Sequence, residues 1–393
     1  GLVMRVYFDN LFADFAHVSL NKKKESLCGD FYIMEERGSD TVLVLSDGLG
    51  SGVKANILAT LTAKMLCTMM IKKIHLEEAV KTIAEALPVC HERQLAYATF
   101  LAMKITGRHV YLATYDNPGL ILLRKGKVFH YEEQIHLINE KEIREAEFDL
   151  QKDDMLILMS DGVTNAGMGK TTDGGWGYEE VEKFCEQKYK PNLSAQRMAV
   201  DIAEACVDLN LNETDDDITV LTIRLCEPLV TNLMIGPPSK MEKDEDFLRV
   251  FFEEEGQHIV CGGTTAKFVA NYLGEEVVTI KGSETDAVPA MSALKGVDMV
   301  TEGYLTLKQL VTYSTRWLSD SMAVISISKQ KDAAAKLAVE LFERSSEINI
   351  FFGNARNPAY KELNIDSSEK LRLTYKLKEH LERAGKKVRM NIW

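Results

Sequence analysis

Two stretches of the chain share one pattern. In TVLVLSDGLGSG, residues 41–52, an apolar and β-branched run ends in Ser46-Asp47-Gly48. In MLILMSDG, residues 155–162, a second apolar run ends in Ser160-Asp161-Gly162. Short, continuous apolar runs of this kind read as buried strands. Residues 41–46 and 155–160 are therefore expected to be strands, each ending in a carboxylate. Residues 97–105 and 109–115 are β-rich and separated by Thr106-Gly107-Arg108, the spacing of a hairpin. Residues 119–124 and the VFHY that follows Lys125-Gly126-Lys127 predict another hairpin. ITVLTIRL, residues 218–225, alternates and is β-rich. Strands joined by short turns point to antiparallel sheets rather than a βαβ series.

Helical patterns fall between these strands. Residues 53–74 are apolar nearly all round, which predicts a helix buried on most sides. Residues 76–87 are amphipathic and stop before Pro88, and residues 194–209 follow the same pattern. A mixed sheet-and-helix domain is expected over 1–230. Residues 227–246 contain Pro228, Gly236, Pro237 and Pro238, then a charge run, which predicts a linker over 231–245. Beyond it the texture changes. Residues 258–274 read as strand, glycine turn and helix, and MAVISI, 322–327, as a strand. Residues 332–345 read as a helix, INIFFG as a strand, 369–385 as a helix ending at Gly385, and KVRMNIW as a final strand. This alternation predicts a smaller α/β domain over 246–393 with a partly parallel sheet.

Composition narrows the class. The chain has 393 residues, 46% hydrophobic and 27% charged, as in an ordinary soluble protein of two domains. No apolar run reaches the roughly 18 residues of a membrane span, and residues 1–10 lack the pattern of a signal peptide. Seven cysteines, an odd number with no C-x-x-C pair, argue against a disulfide framework or a structural zinc site. They fit reduced thiols in a cytoplasm. The net charge of −12 disfavours non-specific binding to nucleic acid or to an anionic membrane.

Four acidic positions carry the candidate chemistry: Asp30 in CGDFYI, Asp47, Asp161, and the run Asp215-Asp216-Asp217 before residue 218. Mg²⁺ and similar hard cations take oxygen ligands, few carboxylates and several waters. Two such ions about 4 Å apart can activate a water toward a phosphorus centre. A glycine after the aspartate leaves room for its carbonyl to approach an ion. The chain holds no H-E-x-x-H, Walker loop or G-x-S-x-G elbow.

Gly29-Asp30, Asp47-Gly48, Ser160-Asp161-Gly162 and Asp216-Asp217-Ile218-Thr219 occur in an order that resembles the metal-dependent protein phosphatases of the PP2C type. The resemblance is to the bacterial branch typified by the sporulation phosphatase SpoIIE. It covers about residues 14–227, with Asp116-Asn117-Pro118-Gly119 as a supporting match. The resemblance implies an α+β four-layer α/β-β/α sandwich, two antiparallel sheets flanked by helices, with a two-metal site at one end. It implies hydrolysis of phosphoserine or phosphothreonine with Mn²⁺ or Mg²⁺ and no covalent intermediate. Carried over, Asp47 bridges both ions, Gly48 offers its carbonyl to one, and Asp161 and Asp216 bind the other. Asp30 sits nearer the first ion, through water or at a third, weaker position. Asp217 is the rival to Asp216. The implied substrate is a phosphorylated regulatory protein such as an anti-sigma-factor antagonist. Segments 53–74 and 76–87 resemble elements that serve as switch and homodimer contact in relatives. One departure concerns the phosphate-binding arginine of eukaryotic members: this region offers Lys22, Lys23 and Lys24 instead.

Other features admit a plain reading beside a functional one. Gly50-Ser51-Gly52 is a loop admitting phosphate or a flexible connection. Lys54 and Asn56 touch substrate or serve the helix start. Cys90-His91 has no second ligand pair nearby and reads as ordinary loop. Gly174-Gly175-Trp176-Gly177-Tyr178 is a flap or a glycine turn held by one aromatic. Val260-Cys261-Gly262-Gly263-Thr264-Thr265 is an anion-binding turn or a structural one. Two further readings keep the fold: a catalytically silent binding module, and a phosphatase of small phosphate esters.

Overall fold

The computed structural model describes residues 6–8, 10–21, 23–24, 27–48, 52–86, 98–138, 140–320, 322–355 and 367–393. They form two compact units, residues 6–227 and 228–393.

The first unit begins with β1 (Val6–Phe8), β2 (Leu11–Leu20), β3 (Asp30–Arg37) and β4 (Asp40–Asp47). Helices α1 (Gly52–Ile71) and α2 (Leu76–Ala86) follow. Then come β5 (Thr99–Thr106), β6 (His109–Tyr115), β7 (Leu120–Arg124), β8 (Lys127–Val128), β9 (Gln134–Ile138), β10 (Lys141–Asp149) and β11 (Met155–Met159). The unit ends with α3 (Asp161–Thr164), α4 (Tyr178–Lys188), α5 (Ala195–Leu209) and β12 (Ile218–Cys226). Two six-stranded antiparallel sheets result, ordered β1-β2-β12-β11-β7-β8 and β3-β4-β5-β6-β10-β9.

The four-layer arrangement explains why β4 is apolar throughout. Successive strand side chains point to opposite faces. Val42 and Val44 join a cluster with Ala63, Leu66 and Cys67 of α1 and Ile83 of α2. Thr41 and Leu43 instead face the other sheet, where they line a small cavity with Ala13, Phe15 and Ile223. A strand covered on both faces has no face for polar residues. On the far side, α5 is tied to the first sheet, where Thr222 Oγ1 donates to the Ala195 carbonyl (2.6 Å).

Helix α1 departs from the expectation of burial on most sides. Val53, Ile57 and Leu61 are 61%, 49% and 39% exposed. Their four-residue spacing puts them on one face, opposite the one packed on the sheet.

At the start of β11, the buried Asp154 accepts from Arg124 Nε (3.1 Å) and from an Arg124 terminal nitrogen (2.9 Å). This bidentate pair fixes β7 to the strand that leads to Asp161. Arg124→Ala leaves a buried carboxylate without its counter-ion. It is expected to cost about 2 kcal/mol by urea unfolding, below a fully enclosed pair because Arg124 is part-exposed.

The second unit starts with β13 (Val230–Ile235), a 3₁₀ turn (Met241–Lys243) and α6 (Asp244–Glu253). β14 (Gln257–Cys261), α7 (Gly263–Leu273), β15 (Val278–Thr279), β16 (Ser292–Ala293) and β17 (Met299–Thr301) follow. Then come α8 (Tyr304–Ser319), α9 (Ala323–Ser328), α10 (Ala333–Ala338) running into a π-helical turn (Val339–Arg344), and β18 (Glu347–Phe352). The unit closes with α11 (Ser367–Arg383) and β19 (Lys387–Ile392). Its sheet is ordered β15-β16-β17-β14-β13-β18-β19. The five strands from β17 to β19 in that order are parallel, and β15 and β16 add an antiparallel edge.

Two expectations are corrected here. Residues 231–245 are not a linker, since β13 is the middle of the parallel sheet and α6 begins at Asp244. The Gly236-Pro237-Pro238 cluster marks a strand-to-helix turn instead of a boundary, and the second unit begins near residue 228. MAVISI is not a strand. It forms α9, burying Ala323, Val324 and Ile327 at helical spacing. A six-residue apolar run does not distinguish strand from buried helix by periodicity.

Among the described residues, no helix is long and apolar enough to cross a membrane. Cys28, Cys67, Cys185, Cys206, Cys226 and Cys261 are free thiols. Cys90-His91 and Gly50-Ser51 lie outside the described residues.

Candidate active site: a cluster of carboxylates

The two sheets deliver acidic residues to one end of the first unit. Asp30 opens β3 and Asp47 closes β4, and the two are register partners. Asp161 opens α3 immediately after β11. Asp216 and Asp217 precede β12, which pairs with β11. Ser160 N–H donates to the Thr219 carbonyl (3.0 Å), and Thr219 N–H donates to Ser160 Oγ (3.0 Å). This exchange sets Asp161 beside the Asp216-Asp217 pair. Thr219 Oγ1 then donates to Asp30 Oδ2 (2.7 Å) and links the two sheets. Asn117 Nδ2 donates to the Met159 carbonyl (3.1 Å), so the supporting Asn-Pro-Gly turn holds the end of β11.

The electrostatics are those of like charges forced together. Burial pushes the Asp47 carboxyl far above the ordinary range, and Asp30, Asp161 and Asp216 push it further. Burial raises Asp30 to about 7, against hydrogen bonds from Thr219, Ser160 and Asp47 that lower it. Burial and then Asp161 raise Asp216 to about 6. Asp30 and Asp47, and Asp47 and Asp161, are near enough for each pair to disturb one another's ionisation. Carboxylates gathered in this way are relieved by a proton or a cation.

The residues fit a hard cation. Asp30 Oδ1 and Asp161 Oδ1 are buried with no hydrogen-bond partner. An unpaired buried carboxylate oxygen is costly unless a cation or donor meets it. Among the described residues, no three His, Cys, Asp or Glu side chains stand ready in metal-holding geometry. The cluster is thus a set of converging oxygens, not a closed cage.

The structure separates Asp216 from Asp217. Asp216 faces Asp161 and Asp47. Asp217 is 3% exposed, and its Oδ2 accepts from Gly29 N–H (2.7 Å). It anchors the turn before Asp30, a role the sequence reading does not assign. Neighbouring aspartates on an extended chain point opposite ways, which is the signal for that division. Gly29 also accepts from Gly48 N–H (2.9 Å), closing the link between the two Gly-Asp and Asp-Gly motifs.

Asn56 Nδ2 donates to the Cys28 carbonyl (2.8 Å), so α1 is tied to the approach to Asp30. Lys23 is ion-paired with Glu213, and Lys22 lies outside the described residues. Lys170, ion-paired with Asp215 (3.0 Å), stands beside the acidic run and was not singled out from sequence. Trp176 packs edge-on against Phe184 (centroids 5.1 Å), and Gly177 N–H donates to the Thr164 carbonyl (2.8 Å). The glycine turn after α3 is therefore anchored by its aromatic.

Residues 37–225 match the family model described as Stage II sporulation protein E (SpoIIE). The matched segment, a little under half of the chain, resembles the SpoIIE-type bacterial branch of the PP2C phosphatases. It is similar to the phosphoserine phosphatase RsbU of Bacillus subtilis (strain 168), 22% identical over 217 residues, covering 54% of this chain and 63% of that protein. The stage II sporulation protein E of the same organism is 26% identical over 207 residues, covering 50% of this chain and 24% of that protein. The chain thus spans less than two thirds of either relative. A solved structure of the PP2C phosphatase domain and a regulatory-domain fragment of SpoIIE from Bacillus subtilis is 22% identical. It covers 54% of this chain and 63% of that chain, with a TM-score of 0.45. Asp47, Asp161 and Asp216 fall within the matched residues, and Asp30 lies just before them.

Proposed function

We propose that this protein is a metal-dependent serine/threonine phosphoprotein phosphatase. The observation that carries the reading is the meeting of Asp30, Asp47, Asp161 and Asp216 with two buried, unpartnered oxygens among them. Asp47 stands between the other three, which suits a ligand shared by two ions. Asp161 and Asp216 would hold one ion, and Asp30 the other or a third, weaker position, with the Gly48 carbonyl as a further ligand. Bound Mn²⁺ or Mg²⁺ supplies activation of water and neutralisation of phosphoryl charge. The chain's own part is to hold the acidic groups close together and in fixed register. Thr219 steadies Asp30, and the Ser160–Thr219 exchange steadies Asp161.

The substrate we propose is a phosphoserine or phosphothreonine on a regulatory protein of the anti-sigma-factor-antagonist type, in the cytoplasm. RsbU is named a phosphoserine phosphatase, which supports this reading. The exposed stripe Val53, Ile57 and Leu61 suits a homodimer contact, and the second unit suits a regulatory role.

The test is hydrolysis of an aryl phosphate and of a phosphoserine peptide by the full chain, with Mn²⁺ and with EDTA. Metal-dependent turnover of both is expected. A chain that neither turns over nor binds Mn²⁺ would be a binding module instead. The two neighbouring aspartates give a finer check. Asp216→Asn is expected to lower Mn²⁺ affinity at least about tenfold with little change in the metal-free melting temperature. Asp217→Asn is expected to lower that melting temperature by about 4 °C, with or without metal, as the acceptor of the Gly29 N–H becomes a weaker amide oxygen and an N–H₂ enters a buried place. The reverse pattern would exchange their roles.

A further inference from the structure

The second unit holds none of the four clustered aspartates, yet its sheet has an informative order. Its parallel strands in chain order are β13, β14, β17, β18 and β19, and they lie side by side as third, second, first, fourth, fifth. Helices cover both faces. Met234, Val260 and Phe351 pack with α6 and α7, whereas Lys370 of α11 lies over the Phe352 ring, 5.8 Å from its centroid. In open sheets wound this way, ligands bind outside the carboxyl ends of the strands, where the order reverses. Here the reversal falls between β13 and β18.

Several features meet at that edge. Lys370 is 5% exposed, and its Nζ lies 2.7 Å from where a Cβ on Gly236 would stand. Gly236 follows β13 with φ +81°, so a side chain there would be both strained and in the way of the ammonium. Cys261, the last residue of β14, directs its Sγ to the carbonyls of Glu302 (3.3 Å) and Gly303 (3.8 Å). The turns leading into α7 and α8 therefore touch. Both helices begin at glycine N-caps, Gly262 and Gly303, with no side-chain cap. First-turn N–H groups and the positive end of each helix dipole favour an anion at such a place.

A second, independent observation points to a ligand. Glu302 Oε2 and Thr306 Oγ1 are buried and have no hydrogen-bond partner. Thr306 is fully buried in the first turn of α8. A purely structural pairing of a buried lysine with Glu302 does not account for both orphaned oxygens, since buried polar atoms are nearly always satisfied. Burial lowers the Lys370 pKa, and Cys261 and Glu302 oppose that shift. Just beyond the ends of β13 and β18, next to the Gly236 turn that Lys370 approaches, lies an open cavity of about 540 Å³ lined by Pro237, Ser239, Asp244 and Asn354; Lys370, Glu302 and Thr306 lie behind its wall. That volume is within the range of small-molecule pockets.

We propose that this edge of the second unit binds a small phosphate ester of the nucleotide class. The phosphate lies toward Lys370 and the N–H groups that open α7 and α8. The ribose hydroxyls lie toward Glu302 and Thr306, whose oxygens lack partners within the protein. The chemistry requires an anion and hydroxyls on one molecule, and it stands apart from the phosphatase reading of the first unit.

The test is calorimetric titration of the full chain with AMP and with adenosine, in EDTA. Chelation keeps the acidic cluster of the first unit from holding a phosphate through a cation. AMP is expected to bind and adenosine to bind at least about tenfold more weakly. Lys370→Met is expected to weaken AMP about tenfold or more, and Thr306→Val several-fold. Asp47→Asn is expected to bind AMP as the wild type does, which places the site outside the first unit. No AMP binding by the wild type overturns the proposal. So does unchanged AMP affinity in a folded Lys370→Met chain, or in Thr306→Val where Lys370→Met does not fold.

Discussion

Asp47→Asn is expected to abolish metal-dependent phosphate hydrolysis, by on the order of 10³-fold or more, and yet to stabilise the metal-free protein. Asp47 stands between Asp30, Asp161 and Asp216, and all three oppose its ionisation. Burial and these like neighbours force Asp47 to be held protonated in the metal-free fold at neutral pH, a cost that the amide does not carry. An amide keeps nearly the same shape and still meets Asp30 and Asp161 with a donor and an acceptor. A gain of about 1 kcal/mol is expected in EDTA, comparable to one unit of pKa shift. In Mn²⁺ the order reverses, because the wild type gains stability from bound metal and the variant loses a shared ligand. Thermal unfolding with and without metal reads both signs, and aryl phosphate turnover reads the activity. A variant that keeps turnover, or that is less stable in EDTA, would remove Asp47 from the centre of the site. Stability surrendered for function is common where like charges are gathered to bind a cation.

The site was more legible than the architecture around it. A carboxylate at the end of a wholly apolar strand conflicts with its surroundings, and such conflicts mark functional positions. Asp47 and Asp161 stand out for that reason, and the structure places them together. Their supports were harder to see. Thr219, Ser160 and Asn117 act through single hydrogen bonds between segments distant in sequence, and no local pattern announces those partners. Asp217 was read as a rival ligand, although its carboxylate is occupied by Gly29 N–H.

Outside the site, ambiguity followed from the periodicity itself. The α1 helix is apolar on all faces, so its pattern could not tell the sheet-facing side from the exposed stripe at Val53, Ile57 and Leu61. Residues 322–327 form too short a run to separate helix from strand. Gly236-Pro237-Pro238 has the composition of a linker, but the strand before it is enclosed on both sides by β14 and β18. Composition reports the turn and is silent on whether the strand entering it belongs to the domain before or after.

Gly162→Ala is expected to cost more than about 3 kcal/mol and to remove activity with it, because overpacking against a fixed backbone has no cheap relief. A Cβ on Gly162 would stand 2.0 Å from the Asp217 carbonyl oxygen, and one on Gly48 would stand 1.9 Å from that of Ala55. Neither contact is with a flexible side chain. The first lies between the start of α3 and the strand entry that carries Asp216, the second between the end of β4 and the first turns of α1. Glycine after each aspartate is therefore required to let two segments of backbone cross, which adds to the expectation that it clears space for an ion. The crossing sets how closely the acidic residues of different strands approach. Gly174→Ala is the matched control: nothing lies within 4 Å of the added methyl, and a change within about 0.5 kcal/mol is expected there. Urea unfolding of both variants beside the wild type separates the two cases. Equal stabilities for Gly162→Ala and Gly174→Ala would mean that the backbone at the second Asp-Gly yields easily, and that the register of the cluster is held by its hydrogen bonds alone.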